Sequence, residues 1–323
     1  MIRRIVGLIL ILALIAGGAA AWISRDWWAE GPLVQKVSIT VRKGDTLAAA
    51  ARALEKTGAI RSTTNFLRFA RRFGPDEPIL AGEFEIPEKS SGAEILDILQ
   101  HGKPVQHLVT IPEGMASILV YERLMNEPDL TGQIDVPAEG SVLPDSYSFE
   151  KGEPRAAVLA RMQTAMRTAL DEAWAARKPT TVVTSSRDAL ILAAIVEKET
   201  AVAAERPMVA AVYSNRIRKG MKLQADPTVI YPITKGKPLG RRIKRSELNA
   251  VNGYNTYASA GLPIGPIANP SRAAIEAVLE PATSDALYFV ANGKGGHVFA
   301  KTLAEHNANV QRFYALRRAR GEM

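Results

Sequence analysis

The sequence predicts an α+β protein: an N-terminal apolar helix, a small βαα subdomain and a larger helix-rich α+β domain. Three observations carry this. A charge-free run of 19 residues spans 5–23. Val37 to Val41 alternates apolar and polar, and two Ala/Leu-rich helical stretches follow it. Beyond residue 105, helical patterns, the longest of them at 155–177, outnumber the short strand patterns. The corresponding divisions are a tail at 1–4, a transmembrane helix at 5–23, a linker at 24–36, the small subdomain at 37–104 and the larger domain at 105–323.

At 1.5 Å per residue the apolar run reaches roughly 28 Å, enough to cross a bilayer core. Arg3 and Arg4 precede it, and Trp22, Trp27 and Trp28 lie at its far end. The positive-inside rule puts the N-terminus in the cytoplasm and the tryptophans at the outer interface. A cleaved signal peptide ending near Ala19-Ala20-Ala21 is the competing reading. On either reading the rest of the chain is exported.

The 323 residues allow two domains with a core each. With 47% hydrophobic and 23% charged residues, the chain is ordinary for a folded protein. The net charge of +8 suits nucleic acid, an anionic membrane or an acidic polymer without choosing among them. An exported body and scattered charge speak against nucleic acid. There is no cysteine, which excludes disulfides and thiol catalysis. The four His are far apart, and no metal or other cofactor is called for.

In the small subdomain, Lys43-Gly44-Asp45 reads as a turn with an N-cap, followed by helices at 46–56 and 63–73. Gly82 to Pro87 reads as a strand and Ser91 to Gln100 as a Ser-capped helix. Further on, 105–110 is a strand, 143–149 a loop, and 155–177 an amphipathic helix whose Met162 and Met166 are core. Pro207 to Lys219 is a helix stopped by Gly220. Asp226 as N-cap with Pro227 at N1 opens a short helix through Tyr231. Residues 232–248, with the basic cluster Arg241, Arg242, Lys244 and Arg245, read as an exposed loop. Gly261 to Pro270 is an irregular ordered loop or lid, and Asn269-Pro270 caps a helix to Leu279. A hairpin at 287–299 and a terminal helix at 303–318 complete the chain.

The chemistry centres on Ile195-Val196-Glu197-Lys198-Glu199-Thr200. Ser185 and Asp188 have capping-box spacing, so a helix begins near Ser186. Leu192, Ile195, Val196 and Glu199 then share one face, while Glu197, about 160° round, is expected at solvent. A carboxyl in an apolar wall has its pKa raised and can hold a proton at neutral pH for a leaving oxygen. The bland alternative is an ion pair with a buried Arg, or a surface acid at the helix end. The polar residues Gln224, Asp226, Tyr254, Asn255 and Tyr257 follow, and amides, hydroxyls and aromatic faces suit a sugar. Each also has a structural reading: a helix cap for Asp226, backbone ties for Gln224 and Asn255, packing for the tyrosines. His297 reads as structural, and Glu197 and Glu205 as solvated or ion-paired. Most glycosidases need two carboxylates. A single acid suffices if the sugar's own C6 hydroxyl attacks C1 after the glycosidic oxygen is protonated.

The ordered set 195–201, Glu205-Arg206, Asn215-Arg216, Gly220-Met221, Leu223-Gln224, 226–231, 254–257, 261–263, 265–267, 287–291, 293–297 and His306-Asn307 resembles the endolytic murein transglycosylase (MltG, YceG-like) family. Residues 41–47 also resemble the opening of a LysM glycan-binding module. The resemblance implies a membrane-anchored enzyme of the inner membrane with its catalytic domain in the periplasm. It would cut the MurNAc–GlcNAc bond of nascent peptidoglycan strands, leaving 1,6-anhydro ends. Glu199 is then the catalytic acid, Gln224, Asp226, Tyr254, Asn255 and Tyr257 bind substrate, and peptidoglycan synthases are partners. A non-catalytic glycan-binding scaffold is the other function considered.

Overall fold

In the computed structural model the described residues are 17–18 and 27–322. The predicted membrane span at 5–23 therefore lies outside them, apart from Gly17 and Gly18. No helix among the described residues is long and apolar enough to cross a membrane. The chain divides into two compact units. The first runs up to His107 and adds Phe149–Lys151; the second takes Leu108–Ser148 and everything from Gly152 onward.

In the first unit, β1 (Val37–Val41) and β2 (Gly82–Ile86) form an antiparallel ribbon with Val37 opposite Ile86 and Val41 opposite Gly82. Period-2 alternation sends Ile39, Val41, Phe84 and Ile86 inward. Against them pack α1 (Leu47–Lys56), α2 (Thr63–Phe73) and α3 (Gly92–His101). Ser62 and Ser91 cap as hydroxyl residues should, and Ser91 shares a capping box with Glu94. Two expectations need correction. Thr46, not Asp45, caps α1, because the Asp45 carboxylate accepts from the Arg42 amide instead. Trp27 is not an interfacial anchor: it is 1% exposed, with its ring against Phe66 and Phe69. A Trp covers more apolar area inside a small core than any neighbour, so the end of the predicted linker folds in, with Leu33 also buried. Trp28 stays 62% exposed.

The second unit opens within β3 (His107–Thr110), from Leu108 onward, and β3 pairs with β4 (Ser146–Phe149). Residues 143–149, read as a loop, thus end in a strand whose partner lies far off in sequence. Between them is α4 (Ser117–Met125), which the sequence reading left unassigned. Then come α5 (Arg155–Ala175), α6 (Ser186–Glu199), α7 (Arg206–Arg218), α8 (Asp226–Thr234), α9 (Arg245–Leu248) and α10 (Arg272–Leu279). The hairpin of β5 (Tyr288–Ala291) and β6 (His297–Ala300) precedes α11 (Leu303–Ala319).

The core of this unit forms around α6. Helices α5, α7, α8 and α10 all pack on it, and Ala189, Ala193 and Ala194 leave room for their close approach. Ser271, not Asn269, caps α10 by accepting from the Ala274 amide. Asn269 instead ties α4 to the core, donating to the Met115 carbonyl at 2.8 Å and accepting from the Val142 amide at 3.0 Å. The stretch read as an exposed loop at 232–248 is partly helical, and one member of its basic cluster, Arg241, is answered locally. Glu247 accepts from Arg241 at 2.9 Å and from the Lys244 amide at 2.7 Å.

Candidate active site

Helix α6 carries Glu199 as its last residue, and Thr200 leaves the helix in an extended conformation. The carboxyl therefore sits at the negative end of the helix dipole, which disfavours its ionised form. It forms part of the wall of an open pocket of about 330 Å³. One edge of the residue meets the pocket, while Oε1 is sealed and has no hydrogen-bond partner. Burial pushes the Glu199 pKa up to about 7. The Tyr213 hydrogen bond and the Arg216 charge oppose that rise, and the charge of Asp226 adds to it.

Helix α7 supplies both opposing groups from positions i and i+3 of one face. Tyr213 is 2% exposed, its ring edge-on to Phe289 at 5.9 Å, and burial keeps its hydroxyl protonated and donating. Arg216 is buried. Its Nε donates to the Leu287 carbonyl at 2.7 Å, and its Nη1 to the Leu223 carbonyl at 2.7 Å. Its guanidinium lies 5.2 Å from the Tyr288 ring centre. Neither residue was singled out from the sequence as a site group. Their spacing was the available signal, but an Arg near a helix C-terminus reads first as a solvated charge.

Gln224 follows at φ 54°, a left-handed conformation uncommon outside glycine. Its amide donates to the Thr256 carbonyl at 3.2 Å, and its side-chain oxygen lies 3.4 Å from Arg216 Nη1. Strain of this kind persists where surrounding bonds over-determine it. Here Thr256 Oγ1 meets Thr228 Oγ1 at 2.8 Å and accepts from the Ala225 amide at 3.0 Å. Asp226 is not the cap of α8; Ala225 occupies that position and Asp226 is the first helical residue. Its carboxylate faces the same pocket and accepts from the Tyr257 hydroxyl at 2.6 Å.

The pocket thus brings together Glu199, Gln224, Asp226 and Tyr257, but not the other two predicted ligands. Asn255 is 1% exposed, and its Nδ2 donates to the carbonyls of Glu247, Leu248 and Ala250. Its Oδ1 accepts from the Tyr257 amide at 2.9 Å, so it is a brace that aims Tyr257. Tyr254 packs against Tyr231, with ring centres 4.9 Å apart, and does not line the pocket.

Glu197 overturns the expectation of a solvent-facing side chain and meets the alternative of an ion pair. It does not face solvent: it is buried, 3.0 Å from Arg206 and accepting from the Ser271 amide at 2.8 Å. Glu113 completes the pair from the other side of Arg206. The reason is that helices pack on α6 from more than one side, so the face carrying Ala193, Ala194 and Glu197 is interior as well. Glu205 makes a second clamp. It accepts from the His297 amide at 2.8 Å and meets His297 Nδ1 at 2.7 Å, as a structural His297 requires. Burial draws the Glu205 pKa up, but the His297 hydrogen bonds outweigh it and hold the carboxyl below its usual range.

Fold and pocket together define an α+β protein whose candidate site is built on one helix-terminal carboxyl held near neutrality. Residues 39–312 match the YceG-like family, and the chain belongs to that family. It is 34% identical over 177 residues to the endolytic murein transglycosylase of Bacillus subtilis, covering 55% of this chain and 48% of that protein. It is 26% identical over 323 residues to the endolytic murein transglycosylase of Streptococcus pneumoniae, covering 85% of this chain and 58% of that protein. The chain thus spans about half the length of the curated relatives it matches. The crystal structure of the yceG-like protein lmo1499 from Listeria monocytogenes superposes with a TM-score of 0.52 at 26% identity, covering 85% of this chain and 98% of that one.

Proposed function

We propose that this chain is a murein lytic transglycosylase with Glu199 as its acid. The observation that carries the reading is a carboxyl at the end of α6, sealed at Oε1 yet in the wall of an open polar pocket, where burial pushes its pKa up. The names of the curated relatives support the same substrate. Protonated Glu199 gives its proton to the β-1,4 glycosidic oxygen between MurNAc and GlcNAc, and the C1–O bond breaks with its electron pair leaving on that oxygen. Positive charge develops at C1, and the Glu199 carboxylate takes the proton from the C6 hydroxyl of the same MurNAc as O6 closes on C1. The products are a 1,6-anhydro end and a new GlcNAc 4-hydroxyl, with no water consumed and Glu199 reprotonated. Tyr213, donating to Glu199, steadies the carboxylate formed midway. Cleavage within nascent strands would end their elongation.

A hydrolytic outcome has one observation in its favour: Asp226, a second carboxylate in the pocket, which could activate water. Mass spectrometry of un-crosslinked glycan treated with the purified chain separates the two. Anhydro ends support the proposal, and reducing ends support hydrolysis. A non-catalytic scaffold predicts no new ends at all and full complementation of a deletion by Glu199→Gln.

The remaining proposals concern place and partners. Residues 5–23 would hold the chain in the inner membrane with its N-terminus cytoplasmic and both units in the periplasm, beside peptidoglycan synthases. The strand–helix–helix–strand order of the first unit supports a LysM-like glycan contact there.

A further inference from the structure

Arg216 presents charge to the pocket that the protein itself does not answer. Nε and Nη1 are committed to backbone carbonyls and to Gln224. Among the described residues Nη2 has no hydrogen-bond partner, and no carboxylate lies within ion-pair distance of the guanidinium. The titratable groups around it do not neutralise it. Glu199 holds its proton to about neutrality, and the Asp226 carboxylate, which accepts from Tyr257, makes no ion pair with the guanidinium. His306 stacks on Tyr288, the ring that also carries Arg216, with centres 5.3 Å apart. Burial and the Arg216 charge hold its imidazole below the usual pKa, so it stays neutral. A guanidinium has donors only, and with Nε and Nη1 taken by the protein, Nη2 is the donor left for the pocket that Arg216 lines. An arginine so placed calls for an oxygen acceptor on the ligand.

In a MurNAc–GlcNAc strand both sugars carry N-acetyl groups. They differ in the 3-O-lactyl substituent, which offers acyl oxygens on MurNAc alone. A fixed cation is unfavourable beside a C1 that becomes positive, so its place is at a side substituent. We propose that Arg216 Nη2 binds the lactyl acyl oxygens of MurNAc and thereby selects MurNAc over GlcNAc in the pocket. The proposal rests on the glycan-cleaving reading and names the feature of the glycan that the site recognises.

The test measures binding, not turnover, with the full-length Glu199→Gln chain and calorimetry. The probes are three hexasaccharides: alternating strands with the lactyl carboxyl free, the same strands with it amide-linked to alanine, and chitohexaose. A hydrogen bond to a charged group implies binding about ten- to a hundredfold weaker for chitohexaose. Adding Arg216→Met should shrink that ratio to within about threefold, with Arg216→Lys intermediate. Tighter binding of the free-carboxyl strand identifies a carboxylate contact, and equal binding of the two lactyl strands a carbonyl contact; both uphold the proposal. If neither variant folds, the Arg216 side-chain nitrogen resonances of the Glu199→Gln chain decide. They must shift with lactyl strands and stay in place with chitohexaose. Equal affinity for all three probes overturns the proposal, as does undiminished discrimination in Arg216→Met. Should the wild-type chain cut glycan while Glu199→Gln shows either result, only this proposal falls. Absence of both cutting and binding removes the glycan reading as well.

Discussion

Replacing Glu199 by glutamine should stabilise the fold at alkaline pH while removing the acid. In the unfolded chain the carboxyl ionises near 4.5, and in the pocket it ionises near 7. Between those values the folded protein holds a proton that the unfolded chain has released, so stability falls as pH rises. The preference is fully present below 4.5 and gone above 7. At 1.36 kcal/mol per pH unit the total is about 3 kcal/mol, an upper figure because one edge of Glu199 meets the pocket. Glutamine is isosteric, keeps an oxygen for the Tyr213 hydroxyl and has no charge to bury. Urea denaturation of both proteins should therefore give similar stabilities at pH 4.5, a gap opening through pH 5–7, and a plateau near pH 8 with Glu199→Gln ahead by about 2–3 kcal/mol. A gap that does not change with pH would refute the premise that burial holds the proton on Glu199.

Other perturbations separate scaffold from site. Glu197→Ala leaves Arg206 buried with only Glu113 beside it, so a loss of about 3 kcal/mol in denaturant and a matching loss of activity are expected. Asn255→Ala strips the donors from three carbonyls; thermal melts should show a loss of about 2–3 kcal/mol, and glycan affinity should fall through the misplaced Tyr257. Tyr257→Phe removes one hydrogen bond to Asp226 and should leave stability within about 1 kcal/mol while altering the steady-state rate on glycan. A Cβ at Gly296 would stand 2.4 Å from Glu205 Oε1, so Gly296→Ala should break the hairpin clamp and lower stability by about 1–3 kcal/mol.

Much of this molecule was legible where the signal is local. The hydroxyl caps Ser91 and Ser185, the alternation of Val37–Val41 and the stripe ending at Glu199 depend on neighbours within a turn or two. The errors arise where partners are distant. Glu197 looked outward because periodicity sees one face, whereas four helices pack on α6. Asp226 looked like a cap until Tyr257, 31 residues on, took its carboxylate. Asn255 carried a sugar-binding side chain by type, and the carbonyls it serves come from a turn whose shape no spacing reveals. Tyr213 belongs to α7, but the residue it meets, Glu199, is supplied by a different helix, so no local spacing reveals the contact.

The account turns on where the Glu199 proton resides, and a carbon-13 NMR titration of glutamate side-chain carboxyls, assigned by difference from Glu199→Gln, reads that directly. The account predicts a midpoint near 7 for Glu199. A midpoint at the ordinary glutamate value would mean the residue is already ionised at neutral pH, and the single-acid mechanism would fail.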